Sequence, residues 1–244
     1  MNEQELRNWL NPANQQLLTE LEGIIPVRFT LWERNYHGCQ VHKAENDVQH
    51  PVEVEVFYRN ETSQAQIAHE MLHARTSLIL GDGIALYDVD NKTPVYEGLL
   101  QIENAEKIVT ACEHVIFFPD YLEMGFREED SFEEYELSEE TSNLLTFLCE
   151  HGLKLGCRYD VDRVFQYISL GFTLYFYPNT ERFQEEVRML SQLDRGLFSK
   201  LRILREACTD LEVVPENREY LSDAYRRFGT EINHWFRVNR AGRR

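Results

Sequence analysis

The sequence has 244 residues, of which 43% are hydrophobic and 27% are charged, and its formal net charge at pH 7 is −17. This composition is typical of a globular protein with one large domain or two small ones. Because the acidic surplus repels nucleic-acid phosphates and anionic lipid surfaces, we expect neither nucleic acid nor a membrane as a partner.

Segments that direct a protein out of the cytosol are not evident in the sequence. It contains no run of eighteen uninterrupted apolar residues, and residues 1–10 include Glu3 and Glu5 where a signal peptide would be apolar. We therefore expect a cytoplasmic protein. The five cysteines are widely spaced without a CxxC pair, which predicts reduced thiols rather than a disulfide framework or a cysteine-rich zinc module.

The first half of the chain combines helical and strand patterns. The predicted elements are two helices within residues 4–21, a strand at 24–32, a short strand or a loop at 39–42, a strand at Val52–Tyr58, a helix at Gln64–Leu80, a short strand near Ile84–Tyr87 and a helix at 99–118. Ser63 can cap the helix that begins at Gln64, and Gly81 and Gly83 stop it.

The second half is predicted to be helical, with helices at residues 138–154, 160–177, 180–208 and 216–240. Apolar stripes on the last two predict an antiparallel helical hairpin. Residues 120–140 hold ten carboxylates and one arginine, which predicts an exposed acidic loop or the rim of a cleft. We therefore divide the chain into an α+β half at 1–119, this loop, and a helical half at 141–244.

The sequence His69-Glu70-Met71-Leu72-His73, an HExxH motif, lies inside the predicted helix Gln64–Leu80. Residues four apart project from one helical face, so both imidazoles can reach one zinc ion. Glu70 stands beside them, where a carboxylate can accept the proton of a water molecule that the metal activates. The motif therefore predicts a hydrolytic zinc site.

A third ligand can come from the next long helix, 99–118. Glu103, Glu106 and Glu113 share one face of this helix. We favour Glu113, because its apolar neighbours would bury it and a buried carboxylate needs a cation or a proton. Glu106 and Glu103 remain alternatives, as does a ligand elsewhere in the chain.

The segment 67–74 resembles the active-site helix of the zincin metallopeptidases, and a glutamate on a following helix resembles the gluzincin arrangement. The resemblance covers about eight residues, and neither the HExxHxxGxxH extension nor an Asn-Glu-xx-Ala-Asp string is present. It implies an α+β fold in which a small mixed sheet and the HExxH helix precede a mostly helical half. It also implies zinc bound by His69, His73 and Glu113, with a protein or peptide as substrate.

In such an enzyme Glu70 is the general base, and a further group stabilises the oxyanion. Our first choice for that group is His114, which adjoins Glu113, and the alternatives are Tyr121, Tyr96 and His151. Two other functions remain open: a non-catalytic zincin-like fold that binds a protein partner, and a zinc hydrolase with a non-peptide substrate.

Overall fold

The computed structural model describes residues 8–24, 27–33, 38–43, 52–58, 63–81, 83–90, 92–130 and 137–240. The elements are α1 (Pro12–Ile24), β1 (Val27–Glu33), β2 (Gly38–Lys43), β3 (Val52–Tyr58), α2 (Gln64–Leu80), α3 (Pro94–Leu99), α4 (Ile102–Glu123), α5 (Glu139–His151), β4 (Lys154–Leu155), β5 (Arg158–Tyr159), α6 (Val161–Leu170), α7 (Gln184–Leu193), α8 (Arg195–Cys208) and α9 (Arg218–Arg240). Within these ranges most residues are helical, and no helix is long and apolar enough to cross a bilayer.

The chain forms two compact units from interleaved segments. The first contains Met1–Leu80 and Phe117–Tyr135, and the second contains Gly81–Ile116 and Glu136–Arg244. Helix α4 is continuous and contributes its last two turns to the first unit. The acidic segment 120–140 falls into both units.

Both ends of the expected acidic loop are helical, which corrects its bounds. Residues 120–123 complete helix α4, with Pro119 inside it, and Glu139 begins helix α5. Arg75 forms an ion pair with Asp120, and Tyr121 is fully buried, so these contacts stabilise the helix beyond the proline. Glu133, Glu134 and Glu136 lie outside the described residues.

In the first unit, helix α2 packs on a three-stranded sheet of order β1–β3–β2. Strand β1 runs parallel to β3, and strand β2 runs antiparallel to β3 along its other edge. The strand that was possible at 39–42 is confirmed as β2. Helix α2 also packs on α1, and Ile67, Ala68, Met71 and Leu72 on it have no exposed surface. Helix α2 is thus packed against both the sheet and α1.

In the second unit, helices α8 and α9 pack together as the predicted hairpin. Lys200 pairs with Glu231 at 2.7 Å, and Gly196 lies next to Trp235. The start of α8 thus lies beside the end of α9, so the two helices are antiparallel. Apart from Val187, which is partly exposed, the predicted stripes are buried: Phe183, Leu190, Leu197, Leu201 and Leu204 on the helix predicted at 180–208, and Leu221, Tyr225, Phe228, Ile232 and Trp235 on α9.

The helix predicted at 180–208 is two helices. The Asp194 carboxylate accepts a hydrogen bond from the Leu197 amide at 2.8 Å and caps the start of α8. An aspartate that bonds the amide three residues on is a strong helix start, so the chain turns there although the apolar period continues.

The helix predicted at 160–177 also changes form, because α6 ends at Leu170 and a π-helix follows at Gly171–Tyr175. Leu201 packs against Gly171 so closely that a Cβ there would overlap it. Arg205 donates hydrogen bonds to the carbonyls of Tyr175, the last residue of the π-helix, and of Tyr177 just beyond it. These tertiary contacts stabilise a turn that isolated helices seldom adopt.

The strand predicted near Ile84–Tyr87 is wrong, since these residues form a 3-10 helix. Gly83 precedes it with φ of 71°, and the consecutive residues Ala85 and Leu86 are both buried, whereas a strand would alternate. The Leu86 carbonyl accepts a hydrogen bond from the Tyr96 hydroxyl at 2.6 Å. On α9, Gly229 faces this hydroxyl, and a Cβ there would overlap it.

Candidate metal centre

Helix α2 carries the HExxH motif and begins with reciprocal capping. The Ser63 hydroxyl accepts a hydrogen bond from the Gln66 amide at 3.2 Å, and the Ser63 amide donates to the Gln66 side chain at 3.0 Å. This capping box fixes the first turn of the helix only a few residues before His69. The prediction that Ser63 caps α2 is confirmed.

The two motif histidines lie together on one face of α2, as their spacing predicts. Their ring centroids are 4.7 Å apart, and the ring planes meet at 71°. Both side chains are half-buried. The i, i+4 spacing therefore gives two adjacent imidazoles at the edge of the first unit's core.

Helix α4 provides a third imidazole. His114 lies one turn before Phe117, whose ring contacts both His69 and His73. One potential ligand atom from each of the three histidines lies within 4.8 Å of the others. Among the described residues, His69, His73 and His114 are the group that can hold a metal ion, and we call them the histidine group.

The donor set fits a divalent transition metal. Imidazole nitrogens suit zinc, copper, iron and nickel, and three histidines with an open fourth position form a known type of catalytic zinc site. Zinc–nitrogen bonds of about 2.05 Å in a tetrahedron place nitrogens about 3.3 Å apart. Rotation about the broad χ2 torsions of histidine can bring the ligand atoms together from separations of up to 4.8 Å.

Glu70 lies directly against this group. One of its carboxylate oxygens is 3.4 Å from His69 Nδ1, and each of the two side chains exposes 12% of its surface. A carboxylate beside Nδ1 favours the tautomer that carries its proton there, which leaves Nε2 free to bind a metal. Glu70 is thus placed both to orient His69 and to accept a proton nearby.

Glu113, the favoured third ligand, is buried as expected but is not a member of the histidine group. Adjacent residues on a helix project about 100° apart, so Glu113 and His114 face different surroundings. Glu113 lies near Cys112 and Tyr225. Burial raises the pKa of the Tyr225 hydroxyl well above its usual range, and Cys112, Cys208 and Glu113 raise it further. The burial of Glu113 is thus as predicted, while its role as a metal ligand stays a prediction.

The alternative carboxylates are also outside the group. Glu103 and Glu106 are both exposed, which agrees with the view that solvent suffices to accommodate them. Among the described residues, helix α4 therefore contributes a histidine rather than a carboxylate to the cluster.

The other candidates for oxyanion stabilisation lie in different environments. Tyr121 is fully buried, its ring is 6.5 Å from that of His69, and its hydroxyl donates to the Arg127 carbonyl at 3.3 Å. Tyr96 is buried in the second unit with its hydroxyl bonded to Leu86. His151 is exposed and stacks on Phe147. Of these three, Tyr121 is the residue whose ring contacts a motif histidine.

Sequence reasoning overlooked Phe117. Its ring centroid lies 4.9 Å from that of His73 and 5.5 Å from that of His69, and it has no exposed surface. The spacing of His114, Phe117 and Tyr121 along one helical face was the available signal.

Comparisons with known proteins identify no relative. No family model matches the sequence, and neither the curated proteins nor the solved structures contain a match. We therefore infer a function from the residues of this chain.

Proposed function

We propose that the protein is a zinc-dependent metallopeptidase in which His69, His73 and His114 hold the metal and Glu70 is the general base. The observation that carries this proposal is the convergence of three imidazoles beside the carboxylate of an HExxH helix. The zincin-like fold belongs to the same proposal, supported by a small mixed sheet that packs on α2.

The chemistry divides between the metal and the chain. Bound zinc supplies Lewis acidity towards a carbonyl oxygen and towards water. Glu70 accepts a proton at its carboxylate from the attacking water and donates it to the leaving amine. His69, His73 and His114 bind through neutral imidazole nitrogens, so their protonation at low pH opposes metal binding.

A peptide substrate is proposed from the resemblance of residues 67–74 to zincins, because the metal and the base do not by themselves fix the bond that is cleaved. An ester or another amide would use the same proton transfers. A panel of unstructured peptides therefore needs to be tested beside simple esters.

Metal analysis tests the foundation of the proposal. Purified without chelator, the parent protein is expected to contain one zinc per chain, whereas His73→Ala is expected to lose it because two remaining histidines cannot enforce a tetrahedral site. His234→Ala is the matched control, since His234 is exposed on α9. A parent protein that carries no metal and takes up none on titration contradicts the proposal.

A second function is favoured by the contact between Glu70 and His69 Nδ1. In that arrangement Glu70 orients a ligand, as in metal sites that serve binding or structure, and the protein would recognise a partner without cleaving it. The Glu70→Gln variant separates the two functions. A catalytic base changes turnover with metal retained, while an orienting carboxylate changes metal affinity.

A further inference from the structure

The Phe117 ring packs against the rings of both motif histidines. Its ring plane stands at 88° to that of His73 and at 69° to that of His69. Edge-to-face contacts of this kind are favourable beyond the area they bury. One phenyl ring thus contacts the two residues whose orientation decides whether a metal site forms.

Helix α2 by itself does not fix the orientation of the His69 and His73 rings. The χ2 torsion of histidine is broad, so the α2 backbone fixes where each ring begins but not which way its nitrogens point. The His69 and His73 rings also contact each other, and a Glu70 carboxylate oxygen lies 3.4 Å from His69 Nδ1. Phe117 contacts each ring from helix α4, one turn beyond His114.

We propose that Phe117 is a positioning residue that limits the rotation of the His69 and His73 rings and so keeps their ligand nitrogens within reach of a metal ion shared with His114. It does not touch substrate, and it acts through the two ligands. The consequence for metal binding rests on the proposed function, whereas the ordering of the rings does not. Because Phe117 has no exposed surface, its own position is set by the core.

Two variants test this. Phe117→Leu removes the aromatic ring, and Phe172→Leu is the control, since Phe172 is also a buried phenylalanine in ring contacts but lies in the second unit. If Phe117→Leu does not fold, Phe117→Met replaces it, because the unbranched methionine side chain adapts more easily to the space that the ring leaves. Thermal unfolding of the metal-free proteins shows whether the two variants lose similar amounts of overall stability.

The first measurement is the NMR spectrum of the histidine ring protons in metal-free protein. We expect Phe117→Leu to shift and broaden the His69 and His73 signals, because the ring current and the restraint are both lost. Phe172→Leu is expected to leave them unchanged. Unaltered His69 and His73 signals in folded Phe117→Leu overturn the inference whether or not the protein binds metal.

The second measurement is titration with Co²⁺, followed by visible absorption. Loss of a supporting residue around a metal site typically weakens binding 10–100-fold, so we expect this loss, with altered ligand-field bands, in Phe117→Leu. We expect less than a threefold change in Phe172→Leu. Parent affinity and spectrum in Phe117→Leu overturn the positioning role, whereas failure of the parent to bind Co²⁺ overturns the proposed function.

Discussion

The α8–α9 hairpin and the histidine group differ in what sets the positions of their side chains. In the hairpin, apolar residues at helical spacing are buried where the pattern predicts them, and Leu197, Leu201 and Leu204 have no exposed surface. In the histidine group, partly buried polar residues from two helices converge, and Phe117 packs against two of them. Burial therefore defines the hairpin, while side-chain direction defines the candidate site.

This difference predicts that substitutions in the two regions have separable effects. Changes in the hairpin should lower the free energy of unfolding and leave metal binding intact, because they remove buried apolar contacts. Changes in the histidine group should alter metal binding or turnover with little loss of stability.

The largest effect is expected for Glu70→Gln. The amide cannot accept the proton, so turnover of a cleavable substrate should fall 10²–10⁴-fold, about 3–5 kcal/mol of barrier, with zinc retained. Steady-state kinetics measures the turnover, and metal analysis of the same preparation measures the retained zinc. Glu97→Gln, at an exposed position on α3, is the control. Parent-like turnover in Glu70→Gln would assign the base elsewhere.

In the hairpin, Leu201→Ala should lower the free energy of unfolding by about 2–5 kcal/mol, because Leu201 is fully buried and packs on Gly171. Urea denaturation measures this change. Arg202→Ala, whose side chain is 59% exposed, should stay within about 0.5 kcal/mol of the parent. A weaker Co²⁺ affinity in folded Leu201→Ala would contradict the separation of the two regions.

Substitution of the adjacent residues Glu113 and His114 compares two candidate metal ligands on the same helix. His114→Ala should weaken Co²⁺ binding more than 100-fold, about 2.7 kcal/mol, because a direct ligand matters more than the supporting groups worth 10–100-fold. Glu113→Gln should bind the metal like the parent, since the carboxylate lies outside the histidine group. The reverse ranking would restore Glu113 as the third ligand.

The smallest effect concerns the ion pair between Lys200 and Glu231. The hydrogen bond from Lys200 lowers the pKa of Glu231 below its ordinary value of 4.5. Because the folded pKa is the lower one, the stabilisation is present above the unfolded pKa and is lost as the pH falls through the folded pKa. We expect at most about 1 kcal/mol, since both groups are partly exposed.

Lys200→Met tests this pair by unfolding between pH 7 and pH 3. The variant should lose the part of the acid dependence that Glu231 contributes, with parent-like Co²⁺ affinity at neutral pH. An identical pH profile in the parent and Lys200→Met would show that the pair contributes nothing.

Periodic patterns predicted the regular elements well. Strand β3 and helix α2 have the predicted bounds, because alternation and a capped helical period are local properties. The break at Asp194 was missed because the apolar stripe continues across it, although an aspartate three residues before Leu197 is a capping signal. The π-helix could not be predicted, since it depends on contacts with Leu201 and Arg205 from a later helix.

The candidate site was predicted in part for the same reason. The spacing of His69 and His73 is local, and their proximity follows from one helix. The choice between Glu113 and His114 depends on the rotation of α4 about its own axis, which local burial does not reveal. Phe117 and Tyr121, which are buried and contact the motif histidines, carry that information.

Gly229 illustrates how a helix can keep a residue that weakens it. Within a helix, glycine is about 0.8–1.0 kcal/mol less favourable than alanine, so a consensus design of α9 would replace it. The Tyr96 hydroxyl and Val89 occupy the space that a methyl group would need. Thermostabilisation by glycine-to-alanine exchange should therefore exclude this position, since the exchange would displace the Tyr96 hydroxyl from the Leu86 carbonyl.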